Sequence, residues 1–212
     1  MSCKKPFIDL PNRTNKPRNN GLTNLVDNGW GLMQLEDVLR YGSNFVDIVK
    51  LGWASAYISD SLDKKIELIH SYNARVCLGG MMFEILYIKN KYTEYADWLN
   101  DLGIKLVEIS NGSLPIKEID KLRMVEYFAS RGFSVLSEDE SKDVTCQSSP
   151  EEWARAVSDD LDAGAWKVIL EGRADASAGI YREDGSLQDD IIQAVLNSGI
   201  NAKDIIFEAP HK

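Results

Sequence analysis

Histidine is almost missing from this chain. There are two in 212 residues, His70 inside the helical stretch ELIHSY and His211 beside the end of the sequence. Neither sits where a Ser-His-Asp or Cys-His arrangement would need it, so a nucleophile of that kind is not indicated. Cysteine is nearly as scarce: Cys3, Cys77 and Cys146 are an odd set without CxxC spacing. That argues against a disulfide framework or a zinc site and suits reduced thiols in a cytoplasmic protein. No apolar run approaches the roughly 20 residues that cross a bilayer. The opening MSCKKPFIDLPNR carries lysines but no apolar stretch behind them, so it does not read as a secretory signal. Excess positive charge is missing too. A net charge of -9 argues against nucleic-acid or anionic-membrane partners, and any anionic ligand must be held by local Lys and Arg against that field.

What is there is an ordinary globular composition, 44% hydrophobic and 27% charged, in a length that suits one domain spanning 1–212. Its pattern is periodic. Short runs rich in Val and Ile occur at Phe45–Leu51, Arg75–Leu78, Ile104–Ser110, Phe133–Ser137, Lys167–Leu170 and Asp204–Phe207, after an initial run at Leu22–Val26. They are too short for helices and read as strands buried on both faces. Gly42, Gly103, Gly132 and Gly164 precede four of them, as glycine does where a helix ends in the left-handed conformation. Amphipathic segments lie between. Ser148-Ser149-Pro150-Glu151-Glu152 combines a serine cap, an early proline and acids in the first turn, and Trp153, Ala156, Val157 and Leu161 then mark an apolar face. Leu62, Ile66 and Ile69 mark another, and Leu122, Val125, Tyr127 and Phe128 a looser one.

A β-α alternation repeating every thirty or so residues, with continuous apolar strands, predicts a parallel sheet covered by helices. A dinucleotide-binding sheet would want a glycine fingerprint after the first strand, and Gly29-Trp30-Gly31 is a poor match. The expectation is therefore a TIM-type (β/α)8 barrel of α/β class in which the eighth unit is missing or incomplete, since seven strands are legible. The open position would be filled by Lys5–Asn15 or by a neighbouring chain, and a homo-oligomer is expected because an exposed parallel edge invites association.

Chemistry in such barrels sits at the C-terminal ends of the strands. Those positions hold Asp27, Lys50, Glu84 (just past Gly79-Gly80), Glu108 with Ser110, Glu138, Glu171 with Arg173, and Glu208. One acid at a strand end is as readily a solvated rim. So many together, interleaved with Lys50, Lys142 and Arg173, predict a polar active site. Carboxylates without histidine suit a hard cation, Mg²⁺ above all, while Lys and Arg suit phosphate or carboxylate. Gly79-Gly80 reads equally as a phosphate approach or a helix start. Cys77 reads as core, and Trp30 and Trp53 as lining for the mouth. A Schiff-base aldolase using Lys50 is an alternative, though an acid-rich mouth raises a lysine's pKa.

The runs KPRNNGLTNLVDNG, VDIVKLGW, GGMMFE, VEISNG, SEDESKD, DAGAWKVILEGR and IIFEAPHK, in this order along nearly the whole chain, together resemble the phosphosulfolactate synthase family. The resemblance implies a barrel lyase that adds sulfite to phosphoenolpyruvate with Mg²⁺, an early step of coenzyme M biosynthesis. It implies Lys142 as the general acid with Glu171 beside it, and Lys16, Arg18, Lys50 and Arg173 as anion holders. Asp27, Glu84, Glu108, Glu138 and Glu208 form the pool of metal ligands. Family members include a heat-stress-associated protein, so a non-catalytic relative is the other reading. In SEDESKD two acids, Asp139 and Glu140, stand where the family's usual SEVGKKD has a small pair.

Overall fold

The computed structural model describes residues 12–139, 149–172, 179–182 and 186–208. Seven strands form one parallel sheet in sequence order: β1 (Asn24–Asp27), β2 (Ile48–Leu51), β3 (Arg75–Leu78), β4 (Leu106–Ile109), β5 (Ser134–Asp139), β6 (Lys167–Glu171) and β7 (Ile205–Glu208). Helices alternate with them: α1 (Leu32–Gly42), the short α2 (Ser55–Ile58), α3 (Leu62–Ser71), α4 (Gly80–Ile88), α5 (Tyr92–Asp101), α6 (Glu118–Ser130), α7 (Pro150–Asp162) and α8 (Asp189–Asn197). The sheet curls into a nearly closed barrel of TIM type, and the seam between β1 and β7 carries no strand pairing among the described residues. Every expected strand is present, each with its ends within three residues of its run.

The local signals act as the sequence implies, with one exception. Ser149 caps α7 reciprocally with Glu152 (Ser149 N to Glu152 Oε2 2.8 Å, Glu152 N to Ser149 Oγ 3.2 Å). Gly103, Gly132 and Gly164 adopt positive φ after their helices, and so does Gly199 before β7. Gly42 does not. It remains the last residue of α1, and the turn passes through Ser43 in helical conformation.

Two apolar cores share the strands. The larger lies between sheet and helices and takes Val49, Leu51, Val76, Leu78, Val107, Ile109, Val135, Val168 and Leu170. The smaller fills the barrel with one residue from each of β2 to β7: Ile48, Cys77, Leu106, Leu136, Ile169 and Ile206. Cys77 is thus core, as expected. Below this layer Arg75 stacks on Trp166 at 4.3 Å and donates to Arg18 O at 2.9 Å. Because strand side chains alternate faces, the residue two positions past each inner apolar one also points inward, nearer the C-terminal mouth. No helix among the described residues is long and apolar enough to cross a membrane.

Candidate active site

Two positions beyond the inner apolar layer stand Lys50, Gly79, Glu108, Glu138, Glu171 and Glu208. This layer is the candidate site. Lys50 reaches into its centre: Nζ lies 2.7 Å from Glu208 Oε2, 3.2 Å from Glu108 Oε2 and 3.4 Å from Glu138 Oε2. Gly79 contributes no side chain to the layer, and a Cβ there would lie 3.6 Å from Lys50 Cγ. Glu171 pairs in register with Glu208 and is half-buried.

Glu108 is held from a second side. The first turn of α4 begins at Gly80, whose N–H donates to Glu108 Oε1 at 2.6 Å, so a helix N-terminus supports the carboxylate. Gly79-Gly80 is therefore a helix start, the second of its two expected readings. Glu108 Oε2 is buried and makes no hydrogen bond, only its ion pair with Lys50. Burial pushes the Glu108 carboxyl up to about 8, with Glu138 and Glu208 adding to the rise and Lys50 opposing it. Burial alone would lower Lys50, but Glu108, Glu138 and Glu208 outweigh it and hold the ammonium well above its ordinary pKa.

The other expected site residues are elsewhere. Asp27 is one position out of phase with the inner layer. It faces α3, pairs with Lys65 Nζ at 2.7 Å and accepts from the N–H groups of Gly29 (2.8 Å) and Trp30 (2.6 Å). Glu84, on α4, spends both oxygens on Ser110 Oγ (2.5 Å), Ser113 N (3.0 Å) and Leu114 N (2.6 Å), fixing the loop after β4. Lys16 and Arg18 lie at the opposite end of the barrel. Lys16 Nζ donates to the carbonyls of Ser43, Val46 and Tyr72 (2.9, 2.6 and 3.1 Å), and Arg18 pairs with Asp47 at 2.7 Å. With Arg13, which bonds Gly21 O at 2.6 Å, they pin residues 13–18 under the N-terminal ends of β1 to β3. The described part of the segment expected to fill the seam is thus engaged below the barrel. Lys142 and Arg173 lie outside the described residues. Trp30 is half-buried past β1, and Trp53 stands exposed past β2 on left-handed backbone (φ 56°) shared with Ala54 (φ 53°).

Sequence reasoning also missed a fully buried lysine on the helix side. Lys121 of α6 is fully enclosed on the helix side of β5, where it donates to Asp139 and, at 2.8 Å, to Asp160 of α7. Asp139 Oδ2 and Asp160 Oδ1 are buried without a hydrogen bond. The signal was the helix phase: Lys121, Val125 and Phe128 share the buried face of α6, which puts a lysine where an apolar residue is expected.

A barrel whose strand ends converge on carboxylates and a cation has the polar C-terminal mouth at which (β/α)-barrel enzymes place their sites. The fold is shared with 3-hexulose-6-phosphate synthase (TM-score 0.56, 15% identity, over 90% of this chain and 81% of that one). It is shared as well with the YdjI aldolase of Escherichia coli K12 (TM-score 0.54, 14% identity, 89% and 65%). Residues 11–212 match the profile of (2R)-phospho-3-sulfolactate synthase (ComA). The chain is 36% identical over 207 residues to the phosphosulfolactate synthase of Bacillus subtilis, covering 97% of this chain and 82% of that protein. It is 35% identical over 207 residues to the one of Methanothermobacter thermautotrophicus, covering 95% and 80%. The chain belongs to the phosphosulfolactate synthase family, a family of enzymes.

Proposed function

We propose that this chain adds sulfite to phosphoenolpyruvate to give 2-phospho-3-sulfolactate, the step that the resemblance assigns to coenzyme M biosynthesis, with Mg²⁺ taking part. The sulfur lone pair forms a bond to the methylene carbon. The alkene π pair moves onto the phosphate-bearing carbon and its carboxylate, and that carbon takes up a proton. Lys142 is the proton donor in this reading, and Arg173 and Lys50 face the substrate's anionic groups. The observation that carries the reading is the inner layer of Lys50, Glu108, Glu138 and Glu208, brought together from β2, β4, β5 and β7 at the barrel mouth.

The carboxylates have the donor chemistry of a magnesium site. In the described arrangement they turn to the Lys50 ammonium, and among the described residues no His, Cys, Asp or Glu group of three or more is spaced to hold a metal ion. Lys50 does not suit the Schiff-base alternative, because an amine kept protonated by its neighbours is a poor nucleophile. The edges of β1 and β7, unpaired among the described residues, also support association of copies.

The test is product formation by the full-length protein with phosphoenolpyruvate, sulfite and Mg²⁺, followed by phosphorus NMR. Turnover is expected in the wild type, with a loss of about a hundredfold or more in Lys142→Ala and in Glu138→Gln. A folded wild type that yields no product under these conditions would move the chain to the non-catalytic reading. Borohydride trapping of substrate on Lys50 would move it to the aldolase reading.

A further inference from the structure

We infer that the Lys50 ammonium is the resident cation of the Glu108–Glu138–Glu208 cage, so that the free protein is closed to magnesium and the metal enters only as the complex of its phosphoenolpyruvate substrate. Lys50 Nζ occupies the point where the three carboxylates meet, within 3.4 Å of each. A divalent cation at that point would be placed against an ammonium, a repulsion that a buried setting screens poorly.

The anchoring of the cage runs the same way. Glu108 has one oxygen on the α4 N-terminus and the other in the ion pair, with no hydrogen bond to hold it there. Among the described residues, the Glu138 and Glu208 carboxylates accept hydrogen bonds from Lys50 alone. Removing the ammonium would thus leave carboxylates that face one another with no counter-charge, which is the condition for capturing a hard cation. Gly79 places no side chain beside the Lys50 stem, where a Cβ would lie 3.6 Å from Cγ.

Charge balance supplies the second half. Among the described residues, one ammonium stands against Glu108, Glu138 and Glu208. Phosphoenolpyruvate alone would bring further negative charge against these three carboxylates. A magnesium complex of the same substrate enters with most of that charge neutralised, its metal carried by phosphate and carboxylate oxygens. This half rests on the function proposed above, whereas the cage half does not.

Mn²⁺ serves as the probe, followed by electron paramagnetic resonance and calorimetry on the full-length protein. Wild type is expected to bind Mn²⁺ weakly alone and to retain it when phosphoenolpyruvate is added. Lys50→Met, checked for folding by circular dichroism, is expected to bind Mn²⁺ without phosphoenolpyruvate roughly tenfold more tightly than wild type, or better. Lys50→Gln replaces it if the methionine variant does not fold. Tight binding of Mn²⁺ alone by wild type, abolished by Glu138→Gln, would overturn the inference, and so would a folded Lys50 variant with no gain in Mn²⁺ affinity. Should neither variant fold, the wild-type comparison with and without phosphoenolpyruvate decides. A gain in the Lys50 variants in a protein that makes no phosphosulfolactate would leave the cage standing and remove the proposed reaction.

Discussion

Glu138 and Asp139 are neighbours in β5 that serve two different buried lysines on opposite faces of the strand. Inside the barrel, Lys50 gathers carboxylates from three strands at a mouth where Glu208 keeps 18% of its side chain exposed. Outside it, Lys121 is 0% exposed and gathers Asp139 and Asp160 beneath α6 and α7. The ingredients are the same, an ammonium between acids, but the surroundings differ. A cluster that reaches solvent can exchange its ammonium for a guest. One sealed between helices can only hold the strand and helices together. Site and scaffold are thus separated by side-chain phase on one strand rather than by residue type.

Stability should follow that difference. Lys121→Met leaves two acids enclosed without a counter-charge, and breaking a buried pair from one side costs about 3–5 kcal/mol. Lys50→Met should cost less, because water at the mouth can solvate Glu138 and Glu208. Urea denaturation of the two variants measures this directly. A larger loss in Lys50→Met would mean that the inner cluster is the structural one. Gly80→Ala comes next in size. A Cβ at Gly80 would press on Ser110 Oγ, lie 2.7 Å from Ser110 Cβ and 3.2 Å from Glu108 Oε1. The expected cost is about 1–3 kcal/mol of overpacking, with activity falling further than stability because Glu108 is displaced. An alanine variant with unchanged activity would show that the α4 N-terminus does not position Glu108.

Much of the barrel was legible because strands buried on both faces read as unbroken apolar runs, as in VCL of β3 and VIL of β6. The same property hid the phase of each strand. With both faces apolar, nothing in the run itself says which residues point inward, so Asp27 and Glu84 looked equivalent to Glu108 and Glu138. The spacing from an inner apolar residue separates them: Leu106 and Glu108, Leu136 and Glu138, Ile206 and Glu208 are each two apart, whereas Asp27 is out of phase and Glu84 is on a helix. The resemblance implied Lys16 and Arg18 as anion holders, and nothing in the sequence showed that the carbonyls of Ser43, Val46 and Tyr72 and the Asp47 carboxylate engage them. Lys65 and Lys121 went unread for the opposite reason: a lysine in an amphipathic helix is usually solvated, and only Asp27 and Asp139, distant in sequence, draw these two inward. Asp139, one of the two acids by which SEDESKD departs from the family's usual pattern, finds its charge partner there.

The smallest expected effect is a pH dependence confined to the outer cluster. Burial and the nearby Asp139 push the Asp160 carboxyl up to about 8, against the pull of Lys121. A carboxyl raised in the folded state is one that folding prefers to keep protonated. Its contribution to stability is therefore complete below its unfolded pKa of about 4, declines as pH rises, and is gone once pH has passed through about 8. Within that window the slope cannot exceed about 1.4 kcal/mol per pH unit. Asp160→Asn removes the titration and keeps the shape. Glu108 titrates near the same pH, but it is present in both proteins and cancels in their difference. Urea denaturation between pH 6 and pH 9 should show wild type losing stability relative to Asp160→Asn as pH rises, and the gap should stop growing above about pH 9. Parallel profiles across that range would mean that Lys121 holds both acids ionised. The outer cluster would then be a fully charged triad, and its resemblance to the inner one would extend from residue type to protonation.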